Sequence, residues 1–174
     1  MKDVVEQLST YKSVHLNKNN IRTHFVGVPL IIWSVFVLIS LVQLPFSLES
    51  NDILTLALPF TVVVLIYYFW LNIPLALALL AFILPTAYSA HLVALMPNAL
   101  WIALAVFFIG WVIQFIGHYF EKAKPAFADD INQLLIGPLF LMAEIFFMLG
   151  LLKPLQQQIT PLAVQKRRAI EHSA

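Results

Sequence analysis

Three histidines, with the polar residues around them, carry the side chains in this sequence best suited to chemistry. His15 and His24 bracket the stretch HLNKNNIRTHFVGVPL, which runs into a long apolar segment. Far downstream, QFIGHYFEKAKPA places His118 and Glu121 at the end of another apolar run. On one continuous helix, nine residues turn the chain through about 900°, so His15 and His24 would point in opposite directions. Asn17, Asn19 and Asn20 lie between them and favour turns and caps over helix interiors. A bend there lets both imidazoles converge. Asn20 or Thr23 is then expected to cap the first spanning helix, with His24 in its first turn and Gly27 clearing the same face. Gln114, His118 and Glu121 follow i, i+4, i+7 spacing and share one stripe. An imidazole and a carboxylate three residues apart suit a divalent metal in a helical bundle. The chain has no cysteine, so ligands must be nitrogen or oxygen, which admits Fe(II), Zn or Mn. If the metal is iron, open positions of the site can hold a chelating substrate and oxygen. Three readings of Glu121 stay open: ligand, ion-pair partner of Lys122 or Lys124, or support for a histidine.

The elements that must position these groups are apolar helices. Hydrophobic residues make up 61% of the 174 and charged residues 11%, too few charges to wet a globular surface. Apolar runs at Phe25–Val42, Ile53–Leu71, Pro74–Met96 and Ala99–Gly117 approach or exceed the length that spans a bilayer. The expected fold is an all-α, polytopic membrane helix bundle with four spanning helices, forming a single membrane-embedded domain over 1–174. Residues 1–13, with Val4, Val5, Leu8 and Tyr11 at helical spacing, are expected to lie as an interfacial helix. Residues 14–152 form the bundle and 153–174 a basic tail. Pro59 and Pro85 fall inside expected spans, where they kink a helix. A further apolar run, Leu134–Leu152, is either re-entrant, broken at Gly137-Pro138, or a fifth span. The non-crossing alternative lets Glu144 face protein rather than lipid. Asp129 and Asp130 are expected to cap this last helix.

All ten lysines and arginines fall before Phe25, between His118 and Lys124, or from Lys153 onward. Such clusters favour the cytoplasmic side, and four crossings return the chain to its starting face. His15, His24 and His118 therefore belong to one face of the membrane, with the N-terminus. No signal peptide is evident, so the first hydrophobic helix is expected to stay as an anchor. Gly-rich phosphate loops and Ser/His/Asp arrangements are absent, and nothing supports nucleic-acid binding. The cluster Lys166-Arg167-Arg168 reads as ordinary charge beside a membrane. His91 near the other end of its span and His172 in the tail are set aside. Trp33, Trp70, Trp101 and Trp111 read as lipid-facing or interfacial anchors.

YKSVHLNKNNIRTHFVGVPL, FIGHYFEKAKPAF and the following DDINQLLIGPLFLMAE resemble the Mpo-type family over nearly the whole chain. This former domain of unknown function includes the fungal 2-hydroxy fatty acid dioxygenase of the endoplasmic reticulum. The resemblance implies an Fe(II)-dependent dioxygenase that removes one carbon from 2-hydroxy fatty acids (α-oxidation) with O2. His15, His24 and His118 match the motif histidines as metal ligands, with Glu121, Asn17, Asn20 and Gln114 as catalytic candidates. Lys18, Arg22 and Lys122 are candidates to neutralise the substrate carboxylate, and Tyr11, Tyr119 or Gln114 to hydrogen-bond substrate or oxygen. The short loops resemble a bacterial member, which implies the cytoplasmic membrane, or the endoplasmic reticulum in a eukaryote. Two other readings remain: a Zn-dependent membrane lipid hydrolase, and a non-enzymatic lipid-binding or transport protein. Di-iron membrane hydroxylases are disfavoured, since those clusters use about eight histidines and five exist here.

Overall fold

A computed structural model describes residues 3–47 and 53–173. The end of the link expected at Gln43–Asp52, the first two residues of the interfacial helix and Ala174 lie outside the described residues. Seven helices dominate: α1 (Val4–Ser13), α2 (Lys18–Ser40), α3 (Ala57–Leu71), α4 (Ile73–Ala94), α5 (Ala99–Glu121), α6 (Gln133–Met148) and α7 (Lys153–Ser173). A short antiparallel pair, β1 (Gln43–Ser47) and β2 (Ile53–Thr55), joins α2 to α3. Three of these helices, α2, α4 and α5, are long and apolar enough to cross a membrane, and α6 with α7 count as a fourth if taken as one bent span. The architecture is a helical membrane bundle, as expected.

The contacts divide the chain into two compact units. One comprises Met1–Val26 with Ile113–Ala174, and the other Gly27–Val112. In the second, α3 packs on α4, and Phe36, Val37, Tyr68, Leu75, Leu79 and Ile83 are buried. Val63, Ile66, Trp70, Leu77, Leu84 and Trp101 stay exposed, an apolar surface suited to lipid. In the first unit α1 is enclosed by α6 and α7. It forms as its spacing predicts, started by Asp3, whose carboxylate accepts from the amide of Glu6 at 2.7 Å. Yet it buries Gln7, Ser9, Lys12 and Ser13 as well as Leu8 and Tyr11.

Several expectations need correction. The span expected at Ile53–Leu71 starts at Ala57, and Ile53–Thr55 is strand. A start at Ile53 would set Pro59 inside the helix, where its ring clashes and its missing donor breaks the ladder; starting at Ala57 puts Pro59 in the first turn, where no donor is needed. The cap of α2 is Asn17, not Asn20 or Thr23. Its carbonyl accepts from the amide of Ile21 at 3.0 Å and its side chain from that of Asn19 at 2.9 Å. His24 therefore lies in the second turn.

Helix α6 runs unbroken through Gly137-Pro138, and the break comes at Gly150, which has φ 72°. There the Leu151 amide donates to the Phe146 carbonyl at 2.8 Å and that of Gly150 to Phe147 at 3.0 Å, the paired bonds that end a helix on a left-handed residue. The chain then turns by 119°. The expected tail is a helix, α7, that buries Ile159 and Ala163. Asp129 and Asp130 do not cap α6. Asp130 instead closes a turn by accepting from the Asn132 amide at 3.0 Å, and Asp129 lies 3.8 Å from Lys124.

Candidate metal centre

Three short segments of one unit build the site. Val14–Asn17 links α1 to α2 and carries His15, the second turn of α2 carries His24, and the last turn of α5 carries His118. What lets α5 approach α2 this closely is Gly117: a Cβ there would lie 2.1 Å from Thr23 Oγ1 and 2.5 Å from Asn20 Oδ1.

The three imidazoles are 1%, 2% and 7% exposed. Their ring centroids are 4.4 Å (His15–His24), 4.9 Å (His15–His118) and 5.2 Å (His24–His118) apart, each pair edge to face. One ligand nitrogen from each lies within 4.8 Å of the others. Tyr11 stacks on His15 at 4.1 Å with the planes 3° apart, and Phe140 packs against both rings.

Hydrogen bonding assigns two of the tautomers. Nδ1 of His15 is 2.6 Å from the Tyr11 carbonyl and Nδ1 of His24 is 2.9 Å from that of Asn20. A carbonyl only accepts, so both Nδ1 atoms carry protons and both Nε2 atoms present lone pairs. Those two Nε2 atoms face each other at 2.9 Å. Two lone pairs at that distance repel unless a cation lies against both. A proton is a poor candidate, because burial first, and then the neighbouring His24 and His118, hold the pKa of His15 well below the ordinary histidine range. A divalent metal fits. Nitrogens about 2.1 Å from a shared ion stand about 3.0 Å apart at neighbouring octahedral positions and about 3.4 Å apart on a tetrahedron. Among the described residues, several further buried polar atoms lack hydrogen-bond partners, among them His118 Nδ1, Asn20 Oδ1 and Gln114 Nε2.

Glu121 is buried beside the rings but turns its oxygens to the loop that carries His15. Oε1 accepts from the amide of Leu16 at 3.1 Å, and Oε2 accepts from the amide of Asn17 at 2.8 Å and the side chain of Asn20 at 3.1 Å. Its cation is neither Lys122 nor Lys124 but Arg167, 3.8 Å away. The Asn17 side chain donates to the Phe120 carbonyl at 3.0 Å and so ties the same loop to the end of α5. Glu144 pairs with Lys12, whose ammonium also lies 5.5 Å from the centre of the Phe140 ring.

The remaining candidates fall in two places. Lys122, with φ 55°, and Tyr119 line a cavity of about 590 Å³ with His118. Lys18 and Arg22 line a separate groove of about 500 Å³ with Leu16, Ile21, Phe25, Glu144 and Met148. The groove residues of α2 point away from His24, since positions 18, 21, 22 and 25 form one face and 20, 23 and 24 another. His91 and His172 are exposed and take no part. Sequence reasoning missed Gly117, Phe140 and Arg167. A glycine directly before a candidate ligand was the available signal for the first; nothing marked the other two.

A helical membrane protein with a buried three-histidine centre is thus defined by its own geometry. The chain belongs to the family described as 2-hydroxy-palmitic acid dioxygenase Mpo1-like, whose model matches residues 1–149. It is 34% identical over 158 residues to the 2-hydroxy-palmitic acid dioxygenase MPO1 of Saccharomyces cerevisiae, an alignment covering 88% of this chain and 86% of the yeast protein. No solved structure matches it significantly.

Proposed function

We propose that this protein is a membrane-embedded, Fe(II)-dependent dioxygenase that shortens 2-hydroxy fatty acids by one carbon. The observation that carries the reading is the pair of Nε2 lone pairs facing each other at 2.9 Å beside a third buried imidazole. The yeast relative's name supplies the substrate class. His15, His24 and His118 would hold the iron, which when bound supplies a Lewis acid and a redox centre for reaction with O2. The yeast relative's name, a dioxygenase, favours the oxygenase over a zinc hydrolase.

The balance closes without another reductant: R–CH(OH)–COOH + O2 gives R–COOH + CO2 + H2O. The C1–C2 bond breaks, C1 leaves as CO2, C2 becomes the new carboxyl carbon, and O2 takes up the four electrons released.

The chain's own residues bind and orient. Lys122 offers a cation to a carboxylate entering the cavity beside His118, and Tyr119, largely exposed there, offers a hydroxyl. Gln114 Nε2 and Asn20 Oδ1 are a donor and an acceptor with no partner among the described residues, available to the substrate or oxygen. Apolar walls and the two cations Lys18 and Arg22 fit the second groove to an amphiphile with an anionic head. Glu121 and Asn17 act as organisers of the His15 loop. The clusters of basic residues favour a cytoplasmic N-terminus and site.

The test is oxygen uptake by anaerobically purified protein loaded with Fe(II) and given 2-hydroxypalmitate, with the acid one carbon shorter as product. His118→Ala should abolish uptake. Retained zinc with no uptake on any 2-hydroxy acid would overturn the reading in favour of the hydrolase.

A further inference from the structure

Helix α7 lies beyond the residues matched by the family model, and its cations look from sequence like ordinary charge near a membrane. Two of them turn inward, to different ends. Lys166 holds α7 on α1: its ammonium is 2.7 Å from the Glu6 carboxylate and 2.6 Å from the Thr10 hydroxyl. Arg167 reaches the end of α5. Its Nη2 donates to the Glu121 carbonyl at 3.0 Å, its Nη1 stands 3.8 Å from Glu121 Oε1, and its Nε binds Glu171 at 2.7 Å.

The side chains of Arg167 and Glu121 are 14% and 3% exposed. Removing the only cation beside a carboxylate that dry leaves a buried charge unpaired, which is costly. A guanidinium suits the pairing because it stays charged and its planar fork serves several acceptors at once. Here Nη2 bonds the Glu121 backbone, Nη1 stands within ion-pair range of its carboxylate without a hydrogen bond, and Glu171 holds Nε. Glu121 in turn holds the amides of Leu16 and Asn17, the two residues that follow His15.

We propose that Arg167 is a positioning residue for the histidine centre: through Glu121 it fixes the loop that sets His15 against His24. Without its cation, Glu121 gains by turning toward water, and the Leu16 and Asn17 amides lose their acceptors. His15 then keeps its bond to the Tyr11 carbonyl but loses restraint on its C-terminal side. The centre loosens while the helices remain packed. The inference rests on the metal part of the reading above and not on the substrate.

The experiment compares the full chain with Arg167→Gln, Arg167→Lys, Lys166→Gln and Glu121→Gln, each purified in detergent. The readouts are Co(II) affinity by chelator competition, the Co(II) absorption spectrum, and hydrogen exchange of the Leu16 and Asn17 amides. Arg167→Gln is expected to weaken Co(II) binding by about ten- to a hundredfold, alter the spectrum and speed exchange at both amides. Arg167→Lys should recover part of each. Lys166→Gln, which loosens α7 without touching Glu121, should leave all three close to the parent. Adding Arg167→Gln to Glu121→Gln should cost little more than Glu121→Gln alone. Unchanged affinity and exchange in Arg167→Gln, or equal losses in Lys166→Gln, would overturn the proposal. If the parent bound no Co(II), the metal reading would fall, while exchange at Leu16 and Asn17 would still decide whether Arg167 holds the loop.

Discussion

Gly117→Ala asks whether close approach of α2 and α5 is what assembles the centre. The added Cβ would stand 2.1 Å from Thr23 Oγ1, 2.5 Å from Asn20 Oδ1 and 3.3 Å from Thr23 Cβ, where ordinary contact begins near 3.4 Å. Neither polar side chain is free to swing away. The Thr23 hydroxyl donates to the Asn20 carbonyl at 2.7 Å, and the Asn20 amide is held by Val14 and Glu121. The helices must therefore part by about 1 Å, at an overpacking cost of about 1–3 kcal/mol. Metal–ligand distances tolerate about 0.2 Å, so the same shift that the fold survives takes His118 out of reach. Co(II) affinity should fall by about a hundredfold or more, the upper end of what removing a supporting residue costs, while the protein still folds. Gly110→Ala is the control. Its Cβ would press on Ile31 Cγ1 at 2.7 Å and the Gly27 carbonyl at 3.2 Å, between the same two helices but beside no candidate ligand. It should lower the denaturation midpoint comparably with affinity changed only a few-fold. Parental Co(II) affinity in Gly117→Ala, or an equal loss in Gly110→Ala, would refute the reasoning.

Three more outcomes are expected. Because burial depresses the pKa of His15, the folded, metal-free protein binds fewer protons than the unfolded chain. Its stability should be full above the ordinary histidine pKa of about 6.5 and erode as pH falls from there toward the lowered value; denaturation midpoints read against pH should show this, and His15→Asn should flatten the slope. Breaking the Lys12–Glu144 pair, whose side chains are 11% and 13% exposed, with Lys12→Met alone should cost about 3–5 kcal/mol. Lys12→Met with Glu144→Leu should restore most of that in the same denaturation assay. Lys122→Asn removes a charge but tolerates the left-handed backbone, so KM for 2-hydroxypalmitate should rise several-fold in oxygen-uptake assays with kcat nearly kept.

The three imidazoles were legible because asparagines and rim positions set them apart from apolar spans, and a basic-residue count put them on one side. Their meeting within 4.8 Å agrees with that. The use of Glu121 was not legible. Spacing fixes that it sits one turn from His118, but whether a carboxylate faces an ion or a loop depends on amides about a hundred residues away. Helix boundaries failed where local chemistry competed with hydropathy. Asn17 caps earlier than Asn20 would, Pro59 demands a first turn, and Gly150, not Gly137-Pro138, supplies the left-handed stop. Helix α7 was read as a tail because its apolar positions are sparse, yet Ile159 and Ala163, one turn apart, are buried, and Lys166 and Arg167 tie it to α1 and α5.

The turn at Gly150 has a consequence for biosynthesis. The hydrogen bonds that hold the His15 loop come from residue 121, and the guanidinium beside that carboxylate comes from residue 167 of 174. Contacts so distant along the chain form late in folding, and a polypeptide emerging N-terminus first makes His15 and His24 long before Arg167 exists. If the three histidines hold a metal as proposed, its loading would follow the docking of α7, because the loop that carries His15 is fully held only once Glu121 and Arg167 are both in place.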